Sequence, residues 1–172
     1  TTHESRVASG AIAPDGSLVL KLYYDRDTFT VSFNSNGGSV VEAITGVRYD
    51  ATITAPTAPT KTGYTFAGWF KENELTNAWN FESDTVTDAT TLYAKWTQNT
   101  DTVYKVEHYQ QDVSGNGYTN FETEGLTGTT DEIATALAKI YAGFTENTTH
   151  TGRVPSGAIA PDGSLVLKLY YD

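Results

Sequence analysis

The sequence predicts a mainly β protein of the α+β class, built as tandem small modules that are each a mixed sheet with at most one short helix. Three observations carry that expectation. Short alternating runs rich in Thr, Tyr and Val are separated by Gly, Asn, Asp and Pro turns. One Ala-rich stretch near the middle of the second half carries helical spacing. The chain also repeats itself: Ser9 to Asp25 recurs without a change as Ser156 to Asp172, 147 positions later (156 − 9). Thr1-Thr2-His3 and Arg6-Val7 return at the same offset as Thr148-Thr149-His150 and Arg153-Val154. A period this long exceeds a solenoid unit of roughly 20–50 residues, so each period should hold folded modules joined end to end.

In the repeated segment, Leu18, Leu20, Leu22 and Tyr24 fall on one face of a strand and Val19, Lys21 and Tyr23 on the other. Pro14-Asp15-Gly16 before it supplies a turn, as does Pro161-Asp162-Gly163 before the second copy. Residues 1–25 therefore read as the C-terminal part of a preceding module. Their apolar strand is expected to be ordered and packed, either along the module beginning at Thr28 or by exchange with a neighbouring chain, so that the protein self-associates through residues 1–25.

The first module spans residues 28–98. Phe29, Val31 and Phe33 alternate in a strand, Asn36-Gly37-Gly38 turns it toward Val40 to Ile44, and the Pro-rich Ala55 to Thr60 is a stiff connection unable to form a central strand. Alternation resumes from Gly63 to Phe70 with Tyr64, Phe66 and Phe70 on one face. Lys71 to Phe81 reads as a loop or short helical turn, and Thr91 to Trp96 is the closing strand. The polar linker Thr97 to Thr102 is short enough to hold a preferred angle.

The second module spans residues 103–172. Val103 to Tyr109 opens it as a strand, and Ser114 to Gly117 is a turn. Thr129 and Glu132 stand in capping-box spacing ahead of Ile133, Leu137 and Ile140, which predicts a helix with those three as its buried stripe. A competing strand would put Ala134, Ala136, Ala138 and Ile140 on one face; the run of Ala and Leu favours the helix.

Phe29 to Gly38, Pro59 to Phe70 and Thr90 to Trp96, three blocks in order, resemble the Listeria–Bacteroides repeat, the B-repeat family of internalins and related surface proteins. The resemblance implies a β-grasp-like fold in an extracellular protein of a Gram-positive bacterium, attached to the cell wall or secreted. The second module is similar to mucin-binding-type repeats through Tyr104 to Tyr109, Gly128 to Thr130, Tyr141 to Phe144 and Gly157 to Tyr171.

Composition narrows the function. Eleven basic residues against 21 acidic ones give a net charge of −10, which argues against nucleic acid and anionic membrane as partners. No run approaches 18 apolar residues, so no membrane insertion is expected. With no Cys there is neither a disulfide nor a thiolate site. Three histidines and no HExxH, GxSxG or P-loop pattern predict no catalytic residue, no metal site, no cofactor and no enzyme activity. His3 and His150 read as turn residues and His108 as strand packing.

Tyr64, Trp79 and Tyr93 are the candidates for ligand contact, being of the type that stacks on sugars or anchors protein interfaces. Trp69 and Trp96 read as core. Lys105 and Lys139, with several Asn in β context, are candidates for an isopeptide cross-link to Asn or Asp. The sequence thus predicts a non-catalytic stalk or spacer that contributes to adhesion and contacts adjacent repeats of its own protein. The alternative is a module that recognises a host protein or glycan.

Overall fold

The computed structural model describes residues 3–172; Thr1 and Thr2, the first two positions of the 1–25 segment, lie outside the described residues. Among the described residues, nine strands form three sheets. The α+β expectation is corrected: the described residues contain no helix.

The first sheet contains β1 (Thr28–Asn34), β2 (Ile44–Arg48), β3 (Tyr64–Phe70) and β4 (Thr90–Gln98) in the order β2-β1-β4-β3. β1 runs parallel to β4, and the other two pairings are antiparallel. Extended, Pro-rich chain makes the crossing from β2 to β3, which leaves that connection without a helix. Val31, Val86, Leu92 and Ala94 are completely buried in its core, with Trp69 and Ile53 beside them. A bulge after Phe66, where Gly68 takes a φ of 120°, resets the alternation of β3. Phe66 and Trp69 therefore share the core, their rings 5.4 Å apart, where strict alternation would have opposed them.

The second sheet contains β5 (Thr102–Gln111), β6 (Tyr118–Gly128) and β9 (Val166–Tyr171), in the order β6-β5-β9. The β5–β6 hairpin is antiparallel and β9 lies parallel to β5. β7 (Ile133–Thr135) and β8 (Ser156–Ala158) form a small antiparallel pair, and Ala134 joins Val106, Ile159 and Leu167 in the second core.

β7 stands where the helix was expected. Asp131 takes a φ of +66°, which an α-helical first turn does not accept. The backbone bonds that a helix would have made internally go across the chain. Asp131 N–H donates to Ile159 O and Ala136 N–H to Pro155 O, while Ile159 N–H donates to Glu132 O. The intended buried stripe is exposed, Ile133 by 68%, Leu137 by 81% and Ile140 fully. Ala134 and Ala136 face the core instead, as the strand alternative places them, but Ala138 and Ile140 of that alternative are exposed and the strand ends at Thr135.

Packing of residues 3–25 along the module that begins at Thr28 is also corrected. These residues form no strand, and only an isolated bridge joins Val7 to Lys21. Leu20, Leu22 and Tyr24 remain exposed by 54%, 56% and 86%. Pairing along β1 is prevented because β1 already has β2 on one side and β4 on the other.

Candidate functional site

The three aromatic candidates do not converge. Tyr64 pairs with Gln98 at one end of the β3–β4 ladder and Tyr93 with Phe70 at the other. Trp79 packs against the first core, and its backbone N–H donates to Trp69 O at 2.8 Å. No shared platform for a sugar ring arises from them.

The three blocks of the sequence motif do converge. Asn36 and Gly37 adopt positive φ, 47° and 84°, in a tight turn closed by Gly38 N–H donating to Ser35 O. The Asn36 amide reaches Ala94 O at 2.8 Å and the Trp96 indole N–H reaches Ser35 O at 2.8 Å. Gly38 lies against the Trp96 ring so closely that a Cβ would stand 2.4 Å from it. Lys61 completes the cluster, donating to Asn36 O and holding its ammonium 4.4 Å from the Tyr64 ring centroid. These motif residues define the turn and its packing, which is structural chemistry.

Tyr64 belongs instead to the seam between the first two sheets. Only residues 99–101 separate β4 from β5, and their backbone is tied on both sides. Asn99 N–H donates to Gly63 O, and Thr130 N–H donates to Asn99 O, both at 2.9 Å. Thr130 is fully buried. Its hydroxyl donates to Gly63 O at 2.8 Å, so the 2.7 Å contact with Thr102 must have the Thr102 hydroxyl as donor. The Tyr64 hydroxyl donates to the Asp131 carboxylate, and this bond raises the Tyr64 pKa. Gly63 sits at φ +77° with Pro161 so near that a Cβ would meet it at 2.7 Å. The bonds among Gly63, Asn99, Thr102 and Thr130 thus tie the first sheet to the second at several points. Sequence reasoning offered Tyr64 as a ligand contact and missed Gly63, Thr102 and Thr130, because nothing in an isolated Thr or Gly announces a partner about 30 to 70 residues away.

A second polar cluster lies against β9, with His108 and Tyr171 buried and Glu122, Glu124 and Lys139 half-buried at its rim. His108 is completely buried, with Nε2 2.7 Å from Glu124 and Nδ1 3.0 Å from the Tyr171 hydroxyl. Lys139 N–H donates to that same hydroxyl. The Tyr171 O–H is therefore free to donate to His108 Nδ1, and His108 in its Nε2–H form donates to Glu124, which satisfies every group. The Lys139 ammonium lies 2.7 Å from Glu122 and 3.1 Å from Glu124, and the Tyr141 hydroxyl donates to Glu122. Lys139 thus pairs with two glutamates, not with the Asn or Asp of an isopeptide bond, and Lys105 is exposed. His150 is a turn residue, its ring stacked on Tyr170 at 3.7 Å.

This cluster resembles an acid–base constellation only in composition. Its groups bond to one another beside β9. Among the described residues no group of three or more His, Asp or Glu is placed to hold a metal, and no helix is long and apolar enough to cross a membrane.

The motif residues build a turn, and the seam joins two sheets. Residues 29–95 match the model of the Listeria–Bacteroides repeat domain, so the chain carries a module of that family. The match ends at residue 95, and nothing supports the mucin-binding resemblance of the second half. Two proteins of Evansella cellulosilytica, described as a "Putative Gly-rich membrane protein" and a "Putative membrane protein", are 43% identical over 90 residues and 42% identical over 87. Internalin H of Listeria monocytogenes is 30% identical over 87 residues. These alignments cover 52%, 51% and 50% of this chain but only 10%, 13% and 15% of those proteins. The likeness places the chain in an extracellular bacterial protein, surface-displayed or secreted, in a Gram-positive context.

Proposed function

We propose that this chain is a spacer period of a bacterial surface protein, with residues 28–98 and 103–172 as its two modules and residues 1–25 as the closing segment of an equivalent module. The seam carries this reading. A stalk must transmit position from one module to the next, and the buried Thr102–Thr130–Gly63 chain with Pro161 against Gly63 holds both sheets at one angle. The acidic balance, at a net charge of −10, keeps successive periods apart and soluble.

The experiment is NMR relaxation on the full chain, comparing wild type with Gly63→Ala and Thr130→Val. The two sheets of the wild type should tumble as one body, and each variant should give the halves separate correlation times. Independent tumbling in the wild type would remove the basis for a spacer of fixed geometry.

The adhesive alternative draws on an apolar groove of about 410 Å³ lined by Val103, Tyr104, Leu126 and Gly163, next to the exposed edge of β6. A host protein or glycan is the occupant this reading calls for. Saturable binding from a panel of mucins, glycans and matrix proteins, lost in Leu126→Asp with folding retained, would favour it over the spacer.

A further inference from the structure

The chain holds two copies of one strand-forming segment but only one β5 for them to pair with. We propose that residues 3–25 form a docking segment for the β5 face of a second copy of this chain's second sheet, where they take the place that residues 150–172 occupy here. This rests on the period reading above and specifies the contact between periods.

The seat is visible because an identical sequence already fills it. β9 places Leu167 beside Val106, Leu169 beside His108 and Tyr171 beside Gln110. Leu167 and Leu169 are completely buried and Tyr171 is 1% exposed. The matching residues are Leu20, Leu22 and Tyr24, all exposed. Ile12, 87% exposed, matches Ile159, which is 3% exposed and packs over Gly128. Lys21 matches Lys168, whose ammonium lies 3.7 Å from Glu107.

The segment is also preshaped. Val7 bridges Lys21 as Val154 bridges Lys168, and Arg6 N–H donates to His3 O as Arg153 N–H donates to His150 O. The His3 and Tyr23 rings lie 5.1 Å apart, where His150 and Tyr170 lie 3.7 Å apart. A segment that keeps its local shape while exposing its apolar face loses less conformational entropy on docking. The specific polar receptor is His108 Nδ1 with Lys139 N–H, which together take one tyrosine hydroxyl.

In the wild-type chain residues 150–172 hold the seat at the advantage of effective concentration. The test empties it. In the full chain, Leu167→Asp with Leu169→Asp should produce concentration-dependent head-to-tail association in sedimentation velocity, with the His108 ring resonances restored as the protein is concentrated. Adding Leu20→Asp and Leu22→Asp should abolish the association. Association that survives those two changes would overturn the proposal, as would a folded second sheet in a monomer, which would mean that the segment reaches its own β5. If the emptied variant is unfolded and monomeric throughout, a synthetic peptide of residues 3–25 is added to the fourfold variant. Restoration of the second sheet by the wild-type peptide, and not by one carrying Leu20→Asp and Leu22→Asp, supports the docking; no restoration sinks it. None of these changes touches the seam, so failure here leaves the relaxation experiment on the wild type free to decide the spacer reading.

Discussion

Residues 9–25 and 156–172 have the same sequence and different structures. In the second copy the chain forms β8 and β9, and Ile159, Leu167, Leu169 and Tyr171 are buried. In the first, no strand forms and the same four side chains face outward. What they share is the turn. Gly16 and Gly163 have φ of 69° and 77°, Gly16 N–H donates to Ala13 O as Gly163 N–H does to Ala160 O, and the Asp15 and Asp162 carboxylates accept from Ser17 and Ser164 N–H. Contacts two or three residues apart survive without a partner; contacts with β5 do not. Turn chemistry is local, whereas a strand needs another strand to satisfy its backbone and cover its face.

The largest test of this difference removes the same side chain from each copy. Leu167→Ala or Leu169→Ala should destabilise the second sheet by about 2–5 kcal/mol, because a cavity opens in a closed core. Leu20→Ala and Leu22→Ala should stay within about 0.5 kcal/mol, as for other exposed positions. All three tryptophans lie in or against the first sheet, so urea unfolding followed by their fluorescence reports that sheet, and amide resonances of β5 report the second. Equal losses in the two copies would mean that residues 3–25 are packed in solution.

Tyr171→Phe against Tyr24→Phe is a smaller test of the same contrast. The first leaves buried His108 Nδ1 and Lys139 N–H without their shared hydroxyl and should cost about 1–3 kcal/mol. Tyr24→Phe should have no measurable effect on equilibrium unfolding.

Acid should loosen the packing of β9, which has no strand as its counterpart in the first copy. The Lys139 ammonium, then the Tyr141 hydroxyl, hold Glu122 below the usual carboxylate range; His108, then Lys139, do so for Glu124. A carboxyl whose pKa is lower folded than unfolded stabilises the fold fully above the unfolded value, about 4.5, and that contribution is lost as the pH falls through the folded value. Hydrogen exchange at β9 should therefore quicken below pH about 4.5, and Glu122→Gln should flatten the dependence. Exchange that is indifferent to pH across that window, once corrected for the intrinsic rate, would remove the cluster from the stability of β9.

The smallest effect is a similarity. Asp15 and Asp162 should both titrate below the ordinary aspartate range, because the Ser17 and Ser164 hydroxyls, then their backbone N–H groups, stabilise the charged form. Carboxyl carbon shifts followed against pH would show it. An ordinary value at Asp15 alone would mean that its turn depends on packing after all.

The same division runs through the rest of the molecule. β1, β3 and β4 were legible from Phe29, Val31, Phe33, Tyr64 and Leu92 because half-buried strands write their alternation into the sequence. The stretch after Thr129 was not legible: its Ala and Leu content favours a helix in isolation, but Asp131 at positive φ and the bonds to Pro155 and Ile159 draw it into extended chain. In the candidate site, the motif showed that Gly38 and Trp96 matter without showing that they touch. Tyr64 is an aromatic of the type that stacks on sugars, and the sequence does not show that its hydroxyl bonds Asp131 across the seam.

By itself, then, the sequence determined the period, the turns, the strand alternation and the family of the first half, all of which depend on neighbours a few residues away or on matching residue patterns. Tertiary structure alone decided whether Leu18 to Tyr24 or Leu165 to Tyr171 becomes a strand, whether residues 129–141 form a helix, and how two sheets meet at Gly63 and Thr130. Those outcomes depend on which backbone donors and apolar faces find distant partners. Two identical segments with one β5 between them cannot both be satisfied within the chain.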